Sequence, residues 1–187
     1  MQGGIFTKFG VKRIFATVIG ALVFFIIARY ASIFVYVETY ISFQYAILSS
    51  FAAVFGPVCG LLIGFVGHGL TDLSFYSSIE SIWWSWVIAS ALAGFMAGFV
   101  LKPGKIENGE FTRREIIRFV VGNLVIHVIS WGVVAPILDI AIYDESASKA
   151  FLQGLIAGTS NFIITAVVGS LLLIGYVNAR ISLIDTK

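Results

Sequence analysis

The sequence predicts an all-α polytopic membrane protein, and three observations carry that prediction. Of 187 residues, 59% are hydrophobic and 12% charged, with a mean hydropathy of +0.98, far from the composition of a soluble domain. From Phe43 to Thr71 there is no carboxylate, lysine or arginine. At about 1.5 Å per helical residue that run is too long for one span and slightly short for two. Ten of the twelve basic residues fall at the amino terminus, in 102–118 or in the Arg180–Lys187 tail, as cytoplasmic flanks do.

The first helix is expected over about 14–37, entering from the cytoplasm after Lys8, Lys12 and Arg13 and remaining uncleaved. Its Ala16-x3-Gly20 puts two small residues on one face, fit either for packing within the bundle or for close approach of a partner helix. Gly56-Pro57 then divides the uncharged run, because proline removes a backbone donor and disfavours helix in the residue before it. Helices over 39–55 and 57–73 follow. One long span would put Lys102, Lys105, Arg113, Arg114 and Arg118 across the membrane from Lys8, Lys12 and Arg13, whereas two short spans keep both basic clusters on one side. The third helix carries Gly56, Gly60, Gly64, His68 and Asp72 on one i, i+4 track, and Cys59 is a lone free thiol.

The fourth helix, 82–101, begins with Trp83, Trp84 and Trp86 at the outer interface. Such tryptophans form a membrane belt, but three within four residues point in different directions, so at least one should face inward to stack on a flat ring. The polar loop after Lys102, with Pro103, Gly104, Asn108 and Gly109, is cytoplasmic. Gly104-Lys105 lacks the upstream glycine of a phosphate-binding loop, so the chain does not hydrolyse ATP by that route. The fifth helix, 116–138, carries Asn123, His127 and Trp131, with Asp139 following Pro136; the sixth, 150–176, carries Gln153 and Asn161. The expectation is a single membrane domain over 1–187 with six transmembrane helices and both termini inside. Glu38, Glu80, Asp139, Asp144 and Glu145 then lie outside, with Lys149 the one loop lysine out of place.

In that arrangement Arg29, Gln44, His68, Asp72, Trp84, Trp131, Asp139 and Gln153 lie in the outer half, His127 and Asn161 near the middle, and Asn123 deeper. A conduction path needs polar residues through the whole thickness, so this pattern predicts a pocket open outside and closed below. Trp84 and Trp131 are the candidate stacking faces; Gln44, His68, Asp72, Asn123, His127, Asp139 and Asn161 are the candidate hydrogen-bonding groups, a structural His68–Asp72 bond being the alternative for that pair. The basic residues are too few and interrupted to form a nucleic-acid stripe. His68-x3-Asp72 could hold half a metal site and Asn123-x3-His127 could add a ligand, but two histidines without a dense carboxylate cluster are a weak signal, so a membrane-embedded enzyme is the lesser alternative, and no cofactor is implied. A structural or assembly subunit is the other class, and leaves the outer polar cluster without a role.

Phe43-Gln44-Tyr45-Ala46, Phe55-Gly56-Pro57, Gly64-Phe65-Val66-Gly67-His68-x-Leu70-x-Asp72, Trp83-Trp84-x-Trp86-Val87, Trp131-Gly132-x-Val134-Ala135-Pro136-x-x-Asp139 and Gln153-Gly154-Leu155-x-Ala157-Gly158 carry a resemblance from about Ile14 to Arg180. The sequence resembles the S components of energy-coupling factor (ECF) vitamin transporters, in the riboflavin-type branch. The resemblance implies a six-helix protein of the bacterial cell membrane that binds a vitamin at its outer face. It also implies docking onto a transmembrane T component that carries two ATP-binding cassette ATPases. Small residues four apart in the first helix are where such proteins meet the T component, and Ala16-x3-Gly20 matches with glycine in second place. Phe34–Ile41 departs from the family pattern, being aromatic and acidic where relatives have a Pro/Asn-rich first loop that helps cover the ligand. Tryptophans with His, Asn and Asp suit a flat heteroaromatic ring, which favours pyridoxine or hydroxymethylpyrimidine, with riboflavin next.

Overall fold

A computed structural model describes residues 10–36, 39–102 and 104–185. Lys8, Val37, Glu38, Pro103 and Lys187, to which the sequence assigns flanks and helix ends, lie outside the described residues. The elements in chain order are α1 (Val11–Tyr30), a hairpin of β1 (Ile33–Tyr36) and β2 (Thr39–Ile41), α2 (Gln44–Phe55), α3 (Pro57–Tyr76) and α4 (Trp84–Ala97). Helix α5 (Arg113–Tyr143) contains a π-helical turn at Ser130–Val134. Helix α6, residues 147–185, contains a second at Thr165–Gly169.

The first helix therefore stops at Tyr30 rather than near residue 37, and the second starts at Gln44 rather than 39. The intervening Ile33-Phe34-Val35-Tyr36 and Thr39-Tyr40-Ile41 are β-branched and aromatic, and they pair antiparallel with Ile33 opposite Ile41 and Phe34 opposite Tyr40. Tyr40 stacks on Phe75 at 5.9 Å, tying the hairpin to the end of α3.

Helix α3 begins at Pro57, whose missing donor costs nothing at a helix start, and Gly56 makes the turn with φ +98°. Glycines let α3 and α4 touch backbone to backbone. A Cβ on Gly60 would strike the Gly94 carbonyl, one on Gly64 the Ser90 carbonyl, and one on Gly98 the Pro57 backbone. Around this contact the core collects Phe24, Leu48, Ala52, Ile63, Ala93 and Trp131.

Among the described residues, four helical stretches are long and apolar enough to cross a membrane: Val11–Tyr30, Pro57–Tyr76, Arg113–Tyr143 and Ala147–Ser182. Helices α2 and α4, with 12 and 14 residues, are only about 18 and 21 Å long and fall short of a ~30 Å hydrocarbon layer. Both run from the hairpin end of the bundle towards the opposite end, where the basic residues gather. There Lys12 donates to Glu107 at 2.6 Å and Arg180 donates to the Glu107 carbonyl at 3.4 Å, so the amino-terminal helix, the 104–112 loop and the end of α6 meet. Hydrogen bonds to Glu110 and Glu115 hold the Lys105 ammonium above the usual lysine range. Exposed pairs of this kind add little stability; they record which segments are neighbours.

Candidate functional site

A cavity of about 190 Å³ lies at the hairpin end. It exists because α2 and α4 start late: Gln44 and Tyr45 open α2, Trp83 and Trp86 flank the first turn of α4, and the space that longer helices would occupy is left between them. Helix α3 contributes His68, Thr71, Asp72 and Phe75, helix α6 contributes Gln153, Ala157 and Asn161, and Thr39 and Tyr40 of the hairpin complete the wall. The lining thus combines flat aromatic faces with a few converging polar groups, as ligand sites do.

The two indoles are held by one buried carboxylate. Trp83 Nε1 donates to Asp139 Oδ1 at 2.7 Å and Trp86 Nε1 to Asp139 Oδ2 at 2.8 Å, while the Ser85 hydroxyl also donates to Oδ1. Asp139 is fully buried in α5 and does not line the cavity. Three donors on one carboxylate compensate its removal from water and fix both ring planes.

A second polar group runs from the cavity into the α2–α4 contact. His68 Nδ1 lies 2.5 Å from Ser90 Oγ, which lies 3.0 Å from the Tyr45 hydroxyl. On its other side, His68 Nε2 is 3.5 Å from Asp72 Oδ1, and Asp72 Oδ2 accepts from the Trp83 backbone N–H at 3.0 Å, closing the start of α4. Gln44 Oε1 is buried at the cavity and accepts no hydrogen bond among the described residues.

Of the residues singled out in the sequence, Gln44, His68, Asp72 and Asn161 come together around the cavity. Trp84 does not: it is 36% exposed and its ring lies 6.0 Å from Phe65, away from the lining. Trp131 stands one layer behind the site, fully buried, stacked on Trp86 at 5.3 Å and edge-on to Tyr45 at 5.0 Å. Its indole donates to His127 Nδ1 at 2.9 Å, and His127 Nε2 lies 3.3 Å from Thr165 Oγ1 within the second π turn. Asn123 is deeper still, accepting from Ser49 and donating to the Phe119 carbonyl, both at 2.8 Å. Gln153, which the sequence places in the outer half, also lines the cavity, and Tyr45, Trp83 and Trp86 are among the lining residues that were not candidate contacts. For Trp83 the reason is local: it precedes α4 with ψ 79°, so a helical wheel misplaces its ring.

At Gly20 the structure shows the first of the two alternatives for the small-residue pair, packing within the bundle. A Cβ on Gly20 would meet Ile63 at 2.5 Å and Phe51 at 2.9 Å, so Gly20 is taken up by packing of α1 on α3 and α2. Ala16 alone opens on an apolar groove, beside Phe15, Ile19, Phe51 and Leu173.

A family model described as ECF-type riboflavin transporter, S component, matches residues 8–178. The chain belongs to this family. As an S component it is an integral membrane protein and the non-catalytic, substrate-binding subunit of a vitamin transporter, in a family that works with a T component and ATPases. This S component is 44% identical over 174 residues to a UPF0397 protein of Exiguobacterium sp., covering 92% of this chain and 93% of that one. It is 44% identical over 171 residues to a UPF0397 protein of Lactococcus lactis subsp. cremoris, covering 91% and 92%. It is 38% identical over 172 residues to one of Staphylococcus aureus, with the same two coverages, 91% and 92%. No solved structure matches it.

Proposed function

We propose that this S component captures a small, single-ring heteroaromatic vitamin or precursor in the cavity at the hairpin end, and that the cavity opens to the outside of the cell. Pyridoxine and hydroxymethylpyrimidine are the favoured ligands and riboflavin the next. The observation that carries this reading is the pair of indoles, Trp83 and Trp86, fixed by Asp139 on a cavity of about 190 Å³. That volume lies below the roughly 300–1,000 Å³ of sites for larger ligands, which supports one ring over the three fused rings and side chain of riboflavin. The oriented indoles offer stacking faces, and Gln44, His68, Asp72 and Asn161 offer hydrogen bonds to ring substituents. In this proposal α2 and α4 complete a six-span bundle with both termini in the cytoplasm, and the protein docks onto a T component carrying two ATP-binding cassette ATPases. Of the Ala16-x3-Gly20 pair, Ala16 is the one that lines an apolar groove, and we assign that contact to the groove.

Calorimetric titration of the purified protein tests the site. Removing a stacking indole should cost on the order of 1–3 kcal/mol, roughly ten- to hundredfold in affinity. Trp86→Ala is expected to weaken pyridoxine or hydroxymethylpyrimidine binding by that factor, and Trp84→Ala to leave it unchanged. The opposite ranking would move the ligand away from this cavity.

A further inference from the structure

The charge of the cavity narrows its ligand beyond ring size, an inference that rests on the capture reading above. Among the described residues lining it, Asp72 is the one carboxylate, and there is no lysine or arginine. Arg29 and Lys149 are not among the lining residues: the Arg29 guanidinium lies behind the wall, over the rings of Phe75 and Tyr30 at 4.4 and 5.3 Å, and Lys149 donates to Glu145 at 2.8 Å. At the two helix starts beside the cavity the outermost amides are already bonded. The amides of Trp83 and Trp84 are taken by Asp72 and by the Tyr143 hydroxyl, and that of Gln44 by Ser42 Oγ. A phosphate or carboxylate on the ligand would therefore lose its hydration with no lysine or arginine in the lining to replace it, and would face Asp72.

The same wall is suited to a cation. Asp72 Oδ1 has a single long contact, 3.5 Å to His68 Nε2, so it keeps capacity for a donor from the ligand. Oδ2 takes one bond from the Trp83 backbone and, like any carboxylate oxygen, accepts a second. The rings of Trp83, Trp86 and Tyr40 line the same cavity, and aromatic faces attract positive charge.

We infer that the cavity selects a small aromatic base, presenting an ammonium or an amidine edge to Asp72, over neutral and phosphorylated rings. An aminopyrimidine fits this description: its exocyclic amino group donates to one carboxylate oxygen and, when the ring nitrogen beside that group carries the proton, the ring N–H donates to the other. The edge is read by Asp72, while the indoles hold the ring plane.

Isothermal titration calorimetry on the full chain in detergent tests this with hydroxymethylpyrimidine, its phosphate ester, pyridoxamine, pyridoxine and riboflavin as probes. Hydroxymethylpyrimidine should bind at least tenfold more tightly than its phosphate ester, and pyridoxamine more tightly than pyridoxine. Asp72→Asn should reduce binding of the bases at least tenfold. Because Asp72 also closes the start of α4, the wild-type ratio of base to ester decides the matter even where that variant fails to fold. Binding of riboflavin or of the ester as tightly as the bases would overturn the inference and leave vitamin capture standing. Binding of none of the five probes would overturn both.

Discussion

Asp139 shows how one buried residue prepares a surface it does not line. Both cavity indoles and the Ser85 hydroxyl donate to it, so its loss leaves one buried and two part-buried donors without that acceptor, a fully buried one at a cost on the order of 1–3 kcal/mol and the others less. Asp139→Ala is therefore expected to lower the thermal unfolding midpoint in detergent and to shift tryptophan emission. Asp139→Asn, which keeps one oxygen acceptor, should do so less. Equal and small effects of both would show that the indoles hold their positions without the clamp. The sequence marked Asp139 as polar and outer but could not show what it faces, because its partners lie more than 50 positions away, at Trp83, Ser85 and Trp86. Likewise, a cluster of three tryptophans was legible as containing an inward-facing ring, but which ring depends on where α4 starts. With the first helical turn beginning at Trp84, Trp83 and Trp86 take the cavity and Trp84 the outside.

Among the elements, the α3–α4 contact is the tightest. Gly94→Ala puts a methyl group against the Gly60 carbonyl, and backbone cannot move aside as a flexible side chain can. Overpacking of this kind costs about 1–3 kcal/mol. Gly69, on the same helix α3, has nothing within 4 Å of an added Cβ, so Gly69→Ala should be neutral or slightly stabilising. Unfolding of the two variants in parallel checks the difference; equal midpoints would deny the close approach. The break at Gly56-Pro57 is legible in the sequence because proline and a glycine with positive φ leave few alternatives. The hairpin and the two π turns are not. Residues 33–36 and 39–41 are as apolar as a helix end, and their strand character depends on pairing with each other. A π turn leaves no compositional mark, although it sets the offset that lets Trp131 reach both Trp86 and His127.

At the scale of the whole molecule, composition alone gives the membrane class, and the clustering of basic residues is matched by the meeting of Lys12, Glu107 and Arg180 at one end of the bundle. The cavity stands at the other end. If the basic end is cytoplasmic, cysteines introduced at Asn108 and Ser148 should react with a membrane-impermeant reagent from opposite sides, with the buried Cys59 replaced beforehand. Labelling of both from outside would refute the six-span arrangement. What composition cannot give is the cavity, since it is the space left by two helices shorter than the bilayer and exists only once all six rods are packed. The most direct test of ligand capture there is native mass spectrometry of the protein purified from the cells that make it. The wild type and Trp84→Ala should carry the added mass of a single-ring heteroaromatic vitamin, and Trp86→Ala should have lost it. An adduct retained equally by Trp86→Ala, or no adduct other than lipid on any of the three, would contradict the account.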